Sequence, residues 1–533
     1  MAVADVPPQP AGLHQQPLMP DLLIAALERN LDQPAVYLGE VVLTARQVRD
    51  EISRYVQALR ATGIGRRSPV AVLALNRPEV LFNMGATMLT GCRTTPLHPM
   101  GSLDDHAYVL ADAGIETLVY DPQYFGERAA ALAERVPGLK HLLAFGSDEA
   151  SPGAVDYIAL AGAFGPEPLT VPDVAAEDVP GLAYTGGTTG QPKGVMGSYR
   201  SGAAMTQIQM TEWEWPERPR FLMCTPLSHA GAAFFVPVLL LGGSLVVVPY
   251  FEPGLVLKTI EEERITATML VPTMLYMLMD HPDFATRDLS SLETVYYGAA
   301  AMSPTRLREA ITRLGPIFFQ YYGQAEGPMT ICVLRKGEHD VDDLDRLATC
   351  GRPVPWVHVK LLDDDLDEVP RGEPGEICVR GPLVMQGYWN KPEQTAETLA
   401  GGWLHTGDIA REDEDGFYTI VDRKKDMIVT GGFNVFPREV EDVVSSHPAV
   451  ANVAVIGVPD DRWGEAVKAV VVLRPGAAVE PEELIELVKQ AKGSVQAPKT
   501  VDFADEIPLS PLGKPDKKAL RAHYWEGTGR QVN

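Results

Sequence analysis

SPVAVLAL at 68–75, followed by PEVLFNMGATMLTG at 78–91, decides the fold. A short apolar run rich in β-branched residues gives way to a longer run with apolar positions at helical spacing, so a buried strand leads into a packed helix. The rhythm continues outward with SLDDHAYVLADAG as a helix, ETLVYD as a strand, ERAAALAERV as a helix and HLLAF as a strand. A second series repeats it: SLVVVP, VLKTIEEERI, TATMLVP, LETVYYG, PTRLREAITRLG and PIFFQYYG. Strands that are apolar on both faces and separated by amphipathic helices predict parallel sheets covered on both sides. The expected body is therefore α/β, with two doubly wound subdomains.

The texture changes after Gly351, where VPRGEPGE and DEDGF place turn signals between short strands. This predicts a small β-rich subdomain reaching to about Asp422. From there PREVEDVVSSH, NVAVIGV, AVKAVVVL and PEELIELVKQA read as helix, strand, strand and helix, a small mobile α+β C-terminal domain. The predicted division is a flexible leader over 1–20, an N-terminal domain over 21–424 and a C-terminal domain over 425–533. The leader MAVADVPPQPAGLHQQPLMP lacks the basic and apolar regions of a signal peptide.

The chain of 533 residues carries 46 Lys plus Arg against 71 Asp plus Glu, a net charge of −25. That length predicts more than one domain. The balance argues against nucleic acid as a partner, because phosphate neutralisation needs clustered cations and no basic run is present. Five scattered cysteines without metal-ligand spacing read as reduced core thiols of a cytoplasmic protein. The stretch 221–251 has no charged residue and is long enough to span a bilayer. Pro237, Gly242 and Gly243 divide it, so a core helix plus a strand is expected rather than a transmembrane segment.

Gly181 to Met196, GLAYTGGTTGQPKGVM, carries the chemistry. A strand-like run opens into Thr185, Gly186, Gly187, Thr188, Thr189 and Gly190, with Lys193 following. Glycines let backbone N–H groups approach phosphate, threonine hydroxyls donate to it or bind Mg²⁺, and lysine adds charge. The spacing differs from the Walker loop, and a plain Gly/Thr surface turn is the alternative.

TGGTTGQPKG resembles the signature of the adenylate-forming superfamily, which contains acyl-CoA synthetases, luciferases and peptide-synthetase adenylation domains. Further similar segments follow in order, covering about Leu43 to Arg521. PLSHAG resembles the next family motif and places His229 between acid and phosphates, whereas alone it reads as a core histidine. The residues after it, Ala230, Gly231, Ala232 and Phe234, are expected to wall an apolar acyl pocket together with Gly298 and Ala300. VYYGAAAMS and QYYGQAE end adjacent strands, and Gly298, Ala299, Ala300 and Gly323 form a slot at the carboxyl ends of the strands, where α/β sheets bind ligands. The resemblance fills that slot with adenine beside Tyr321 and Tyr322. It gives Glu326 the metal, with Thr188, and assigns the ribose to Asp408 and Arg423. Without the resemblance, Tyr322 reads as core packing, Glu326 as a solvated carboxylate, and Asp408 with Arg423 as a surface ion pair.

The resemblance also implies an adenylating lysine at Lys514, an interdomain hinge at Lys425 and a thiol-tunnel loop at Gly431 and Gly432. Lys514, His229 and Glu326 are then the catalytic residues. Gly186, Tyr199, Ala325, Trp356 and His358 depart from the family pattern. The expected activity is ATP-dependent conversion of an apolar fatty or aromatic acid to an acyl-adenylate, then transfer to CoA, with Mg²⁺ as cofactor. Transfer to an amine is the alternative, and a non-catalytic nucleotide-binding module a remote one. The expected partners are the acid, ATP and CoA or an amine; a homodimer is compatible with the sequence.

Overall fold

The computed structural model describes residues 15–185, 191–424, 426–430, 433–460, 463–509 and 515–525. The first α/β series forms a seven-stranded sheet in the order Val155–Asp156, His141–Ala144, Thr117–Tyr120, Pro69–Leu73, Arg93–Pro96, Gly181–Thr185 and Lys193–Gly197. All its neighbours are parallel except the last two, which close as an antiparallel hairpin. The second series forms a nine-stranded sheet whose parallel centre comprises Ser244–Val247, Arg220–Met223, Ala267–Leu270, Thr294–Gly298 and Phe318–Gln324. Burial on both faces of these strands explains their unbroken apolar runs.

One edge of the larger sheet comes from far away in sequence. Pro34–Leu38 lies parallel to Ser244–Val247 and turns antiparallel into Val41–Thr44. The helix Met19–Arg29 precedes this hairpin, and Leu18 and Pro20 are buried. The expected leader over 1–20 is therefore too long: its last residues belong to the packed body because Leu23, Ala26 and Leu27 on the same helix need a core partner.

The uncharged stretch resolves into strand Arg220–Met223, a 3₁₀ turn at Ala230–Phe234, helix Phe235–Leu240 and strand Ser244–Val247. Pro237 sits in the first turn of its helix, where its missing N–H costs nothing. The break falls instead at Gly242, with φ +69°, and at Gly243, where a Cβ would stand 2.3 Å from the Pro219 carbonyl oxygen. No helix among the described residues is long and apolar enough to cross a membrane.

A four-stranded antiparallel sheet follows: His358–Leu362, Gly375–Arg380, Leu404–Glu412 and Tyr418–Arg423. The last sheet, starting at Ile428–Thr430, is built on the long pair Val450–Asp460 and Gly464–Leu473, with helices Pro437–Ser445 and Pro481–Lys492 closing its own small core. The protein is thus α/β, with a large N-terminal part and a small C-terminal α+β part.

Candidate active site

The carboxyl ends of both large sheets, the four-stranded sheet and the C-terminal part all open on one cleft of about 2350 Å³. Thr185 and Lys193 line it from the two arms of the hairpin that carries the glycine-rich loop. Gly186, Gly187, Thr188, Thr189 and Gly190 lie outside the described residues. Lys193 Nζ stands 4.9 Å from the centre of the Tyr388 ring, a cation–π contact. Tyr388 Oη in turn donates to Glu326 Oε1 at 2.8 Å. Burial, and then the Glu326 charge, pushes the Tyr388 phenol above its ordinary pKa, so it remains a donor.

Backbone pairing holds this trio together. Met196 and Gly194 on the returning hairpin strand bond to Gly387, Gln386 and Trp389, so the outer strand Lys193–Gly197 is covered by the segment bearing Tyr388. The Met385 N–H donates to the Glu326 carbonyl at 2.9 Å, tying the carboxylate's own backbone to the same segment. Tyr388 was not expected from the sequence; its only signal is the aromatic pair in GYW after a Gly/Pro turn.

A second cluster forms beside it. Tyr322 Oη donates to Asp408 Oδ2 at 2.6 Å, and Arg423 Nε lies 2.6 Å from Asp408 Oδ1. Asp408 and Arg423 sit opposite each other on paired strands, a register that delivers both to one point. Asp408 is buried, and its charge holds the Arg423 guanidinium above its usual pKa. The pair is therefore a cleft feature shared with Tyr322, not an isolated surface ion pair.

The strand ends form the expected slot, with Ala299, Ala300, Ala301 and Gly323 on the cleft. Ala299 has φ +64°, a left-handed conformation that costs a non-glycine residue about 1 kcal/mol or more. Gly298 lies behind the wall, because a Cβ there would stand 2.4 Å from the Tyr321 carbonyl oxygen. Its role is to let two strands close.

Gly231 and Phe234 also depart from the expected acyl wall. Gly231 packs on the Thr225 and Pro226 backbone, and Phe234 is fully buried with its ring stacked 4.4 Å from Phe221. Phe234 belongs to an aromatic core with Trp213 and Tyr296, where a large apolar side chain gains more burial than at a wet wall. Tyr321 reaches the cleft but stacks on Trp213 at 5.1 Å. Ala230 and Ala232 do line the cleft, beside His229.

His229 packs edge-on against His98 at 4.7 Å, and its Nδ1 shares a hydrogen with Ser228 Oγ at 2.9 Å. Burial, then the neighbouring His98, lowers the His229 pKa to about 4, so the ring is neutral near pH 7. His98 is likewise lowered by burial and by His106. The helix Pro78–Thr90 contributes Val80, Met84 and Met88 to the lining of the same cleft.

Of the departures from the family pattern, Ala325 and Tyr199 line the cleft. Trp356 is anchored by Nε1 to Glu212 at 2.8 Å, the same carboxylate that pairs with Arg335. His358 is exposed on strand His358–Leu362. Lys425, Gly431, Gly432 and Lys514 lie outside the described residues. Just before Lys425, Lys424 Nζ lies 2.6 Å from Asp364 and 3.4 Å from Glu376.

Family models for the AMP-binding enzyme and for the AMP-binding enzyme C-terminal domain match residues 24–389 and 439–514. The chain belongs to the AMP-binding enzyme family. A medium/long-chain-fatty-acid–CoA ligase, FadD8 of Mycobacterium tuberculosis, is 59% identical over 96% of this chain and 91% of its own length. A feruloyl-CoA synthase from an Amycolatopsis species is 36% identical over 92% and 96% of the two chains. The solved structure of the amide bond synthetase McbA from Marinactinospora thermotolerans superimposes with a TM-score of 0.86, at 35% identity over 94% of this chain and 99% of that one.

Proposed function

We propose that this AMP-binding enzyme is an ATP-dependent acyl-CoA synthetase acting on an apolar carboxylic acid, with a fatty acid as the favoured class. The observation that carries the proposal is the layout of one cleft. Lys193, Glu326, Asp408 and Arg423 line it together with neutral His229 and with apolar side chains that include Val80, Met84 and Met88. The similarity to a medium/long-chain-fatty-acid–CoA ligase supports the acid class.

A carboxylate is unreactive to a thiol because its leaving group would be oxide. In the proposed first step its oxygen attacks the α-phosphorus of ATP, the α–β bridging bond breaks, and pyrophosphate leaves. In the second, the CoA thiol, losing its proton, attacks the acyl carbon and AMP leaves. The protein's task is to bring two anions together and offset their repulsion. Thr185, Gly186, Gly187, Thr188, Thr189, Gly190 and Lys193 hold the triphosphate, Tyr322 with Ala299 and Ala300 takes the base, and Asp408 with Arg423 takes the ribose. Glu326 offers a hard carboxylate oxygen suited to Mg²⁺, which with Thr188 would neutralise phosphate charge. The net charge of −25 matters little at this range, since it is screened over about 8–10 Å.

Lys514 is the cation that stabilises the charge developing during attack. Rotation of the domain over 425–533 about Lys425 would withdraw it and bring Gly431 and Gly432 to a thiol tunnel. The five free, buried cysteines favour a reducing, cytoplasmic setting. The likeness to an amide bond synthetase keeps an amine acceptor as a second reading. Incubating fatty and aromatic acids with ATP and either CoA or simple amines, with products identified by mass, tests both. Acyl-CoA from fatty acids is expected; amides alone would overturn the CoA assignment, and no pyrophosphate with any acid would overturn the synthetase.

A further inference from the structure

One strand from each large sheet sends a histidine to the same spot. His98 follows the strand Arg93–Pro96 of the seven-stranded sheet, and His229 follows Arg220–Met223 of the nine-stranded one. Both stand beyond the carboxyl ends of parallel strands, both line the cleft, and their rings meet edge-on at 4.7 Å. Asn76 holds the His229 side of this contact: its amide donates to the Thr225 carbonyl and accepts the Leu227 N–H, both at 2.9 Å.

The His98 side is held by a chain of hydrogens whose direction is fixed. Arginine has only donors, so Arg128 Nη1, 3.2 Å from His106 Nδ1, makes that nitrogen an acceptor and leaves the His106 proton on Nε2. This Nε2–H donates to the His98 carbonyl at 2.9 Å. Gly101 lets the loop close over the ring, for a Cβ there would stand 2.5 Å from the same Nε2. The Met100 N–H then donates to His98 Nδ1 at 3.1 Å. His98 therefore carries its own proton on Nε2, and a second one on Nδ1 would face the Met100 hydrogen. Burial, then His106, also lowers the His98 pKa, so the ring is neutral near pH 7.

The result is a donor with nothing to donate to. His98 is half-buried, and its Nε2 has no partner among the described residues, yet it is not one of the polar atoms closed off from solvent. His229 matches it, with Nδ1 occupied by Ser228 and Nε2 open. Under the proposed function the triphosphate, base and ribose each have their residues, whereas the head group of the acid has only His229. We propose that the His98 Nε2–H binds the carboxylate of the acid beside His229, on the oxygen that remains as the carbonyl of the acyl-adenylate. The reading rests on the acid-activating function proposed above and adds a substrate-binding residue to it. A neutral donor orients one carboxylate oxygen without cancelling the charge that makes the other a nucleophile. When the CoA thiol, losing its proton, attacks, the S–C bond forms and the carbonyl electron pair moves onto the held oxygen. The same hydrogen stabilises that charge until the bond to AMP breaks.

The test uses the full chain. Binding of decanoic acid is titrated by the shift in melting temperature without ATP or CoA, and steady-state KM values are measured separately. His98→Phe keeps a flat ring and removes the donor. It should weaken decanoic acid at least about tenfold, the loss of one hydrogen bond to a charged group, and raise KM for the acid but not for ATP. His98→Gln returns an N–H of similar reach and should recover most of the binding, which a purely structural role would not allow. Undiminished binding in His98→Phe, an equal loss in His98→Gln, or an equal rise in KM for ATP overturns the proposal. On the unaltered protein, decanoyl-adenylate formed with ATP and no CoA should show its infrared carbonyl band below the position found in an aprotic solvent. A band at the aprotic position overturns the proposal without any variant having to fold. Failure of every acid to release pyrophosphate would instead strike the synthetase reading, since the binding titration does not depend on turnover.

Discussion

Replacing Asp408 with Asn keeps the side chain's outline and removes its charge. In the structure this carboxylate is 4% exposed and already accepts from Tyr322 Oη, with Arg423 Nε against its other oxygen. Under the proposed function its remaining lone pairs accept the ribose hydroxyls. Hydrogen bonds to a charged group contribute about 1.5–3 kcal/mol each, and the amide retains only part of that. A loss of about 3 kcal/mol corresponds to a fall of about a hundredfold in kcat/KM for ATP. Stability should suffer much less. The Arg423 side chain is 40% exposed, so its ion pair is discounted to about 1 kcal/mol, and a chain of this size should lose less than about 3 °C in Tm. Carboxylate-dependent pyrophosphate exchange over a range of ATP concentrations, with parallel melting curves, measures both. An unchanged KM for ATP, or an activity loss matched by unfolding at the assay temperature, would refute the ribose assignment.

Lys514→Ala should abolish pyrophosphate exchange while leaving ATP binding largely intact, and normal exchange in that variant would remove the lysine from the mechanism. Burial gives His229 a folded-state pKa near 4 against an ordinary 6.5, so the unfolded chain binds more protons between those values. Its contribution to stability is complete above pH 6.5 and fades as pH falls towards 4, by about 3 kcal/mol at most. His229→Gln should flatten the dependence of Tm on pH across that window; an unaltered slope would mean that other groups, His339 foremost, carry the acid sensitivity.

Strand–helix alternation made the two parallel sheets legible, since a strand buried on both faces must be apolar throughout. The hairpin Pro34–Thr44 was not, because its place at the edge of a sheet assembled from residues near 245 is a long-range choice with no local signature. Lys193 was singled out through loop chemistry and Asp408 with Arg423 through the family resemblance, and the strand register explains why the last two meet. Phe234 was misplaced because small and aromatic residues suit both a pocket wall and a core; only packing against Phe221 and Trp213 separates them.

The strand Lys193–Gly197 ends the seven-stranded sheet, and an uncovered strand there would offer a ready template to another chain. The Gln386–Trp389 segment seals that seam with the same ladder that delivers Tyr388 to Glu326. Edge protection and the Lys193–Tyr388–Glu326 corner of the cleft are therefore stitched by one thread. A lesion that lifts this segment frees a sticky border and slackens the carboxylate at once, so loss of yield and loss of turnover would arrive as a single phenotype.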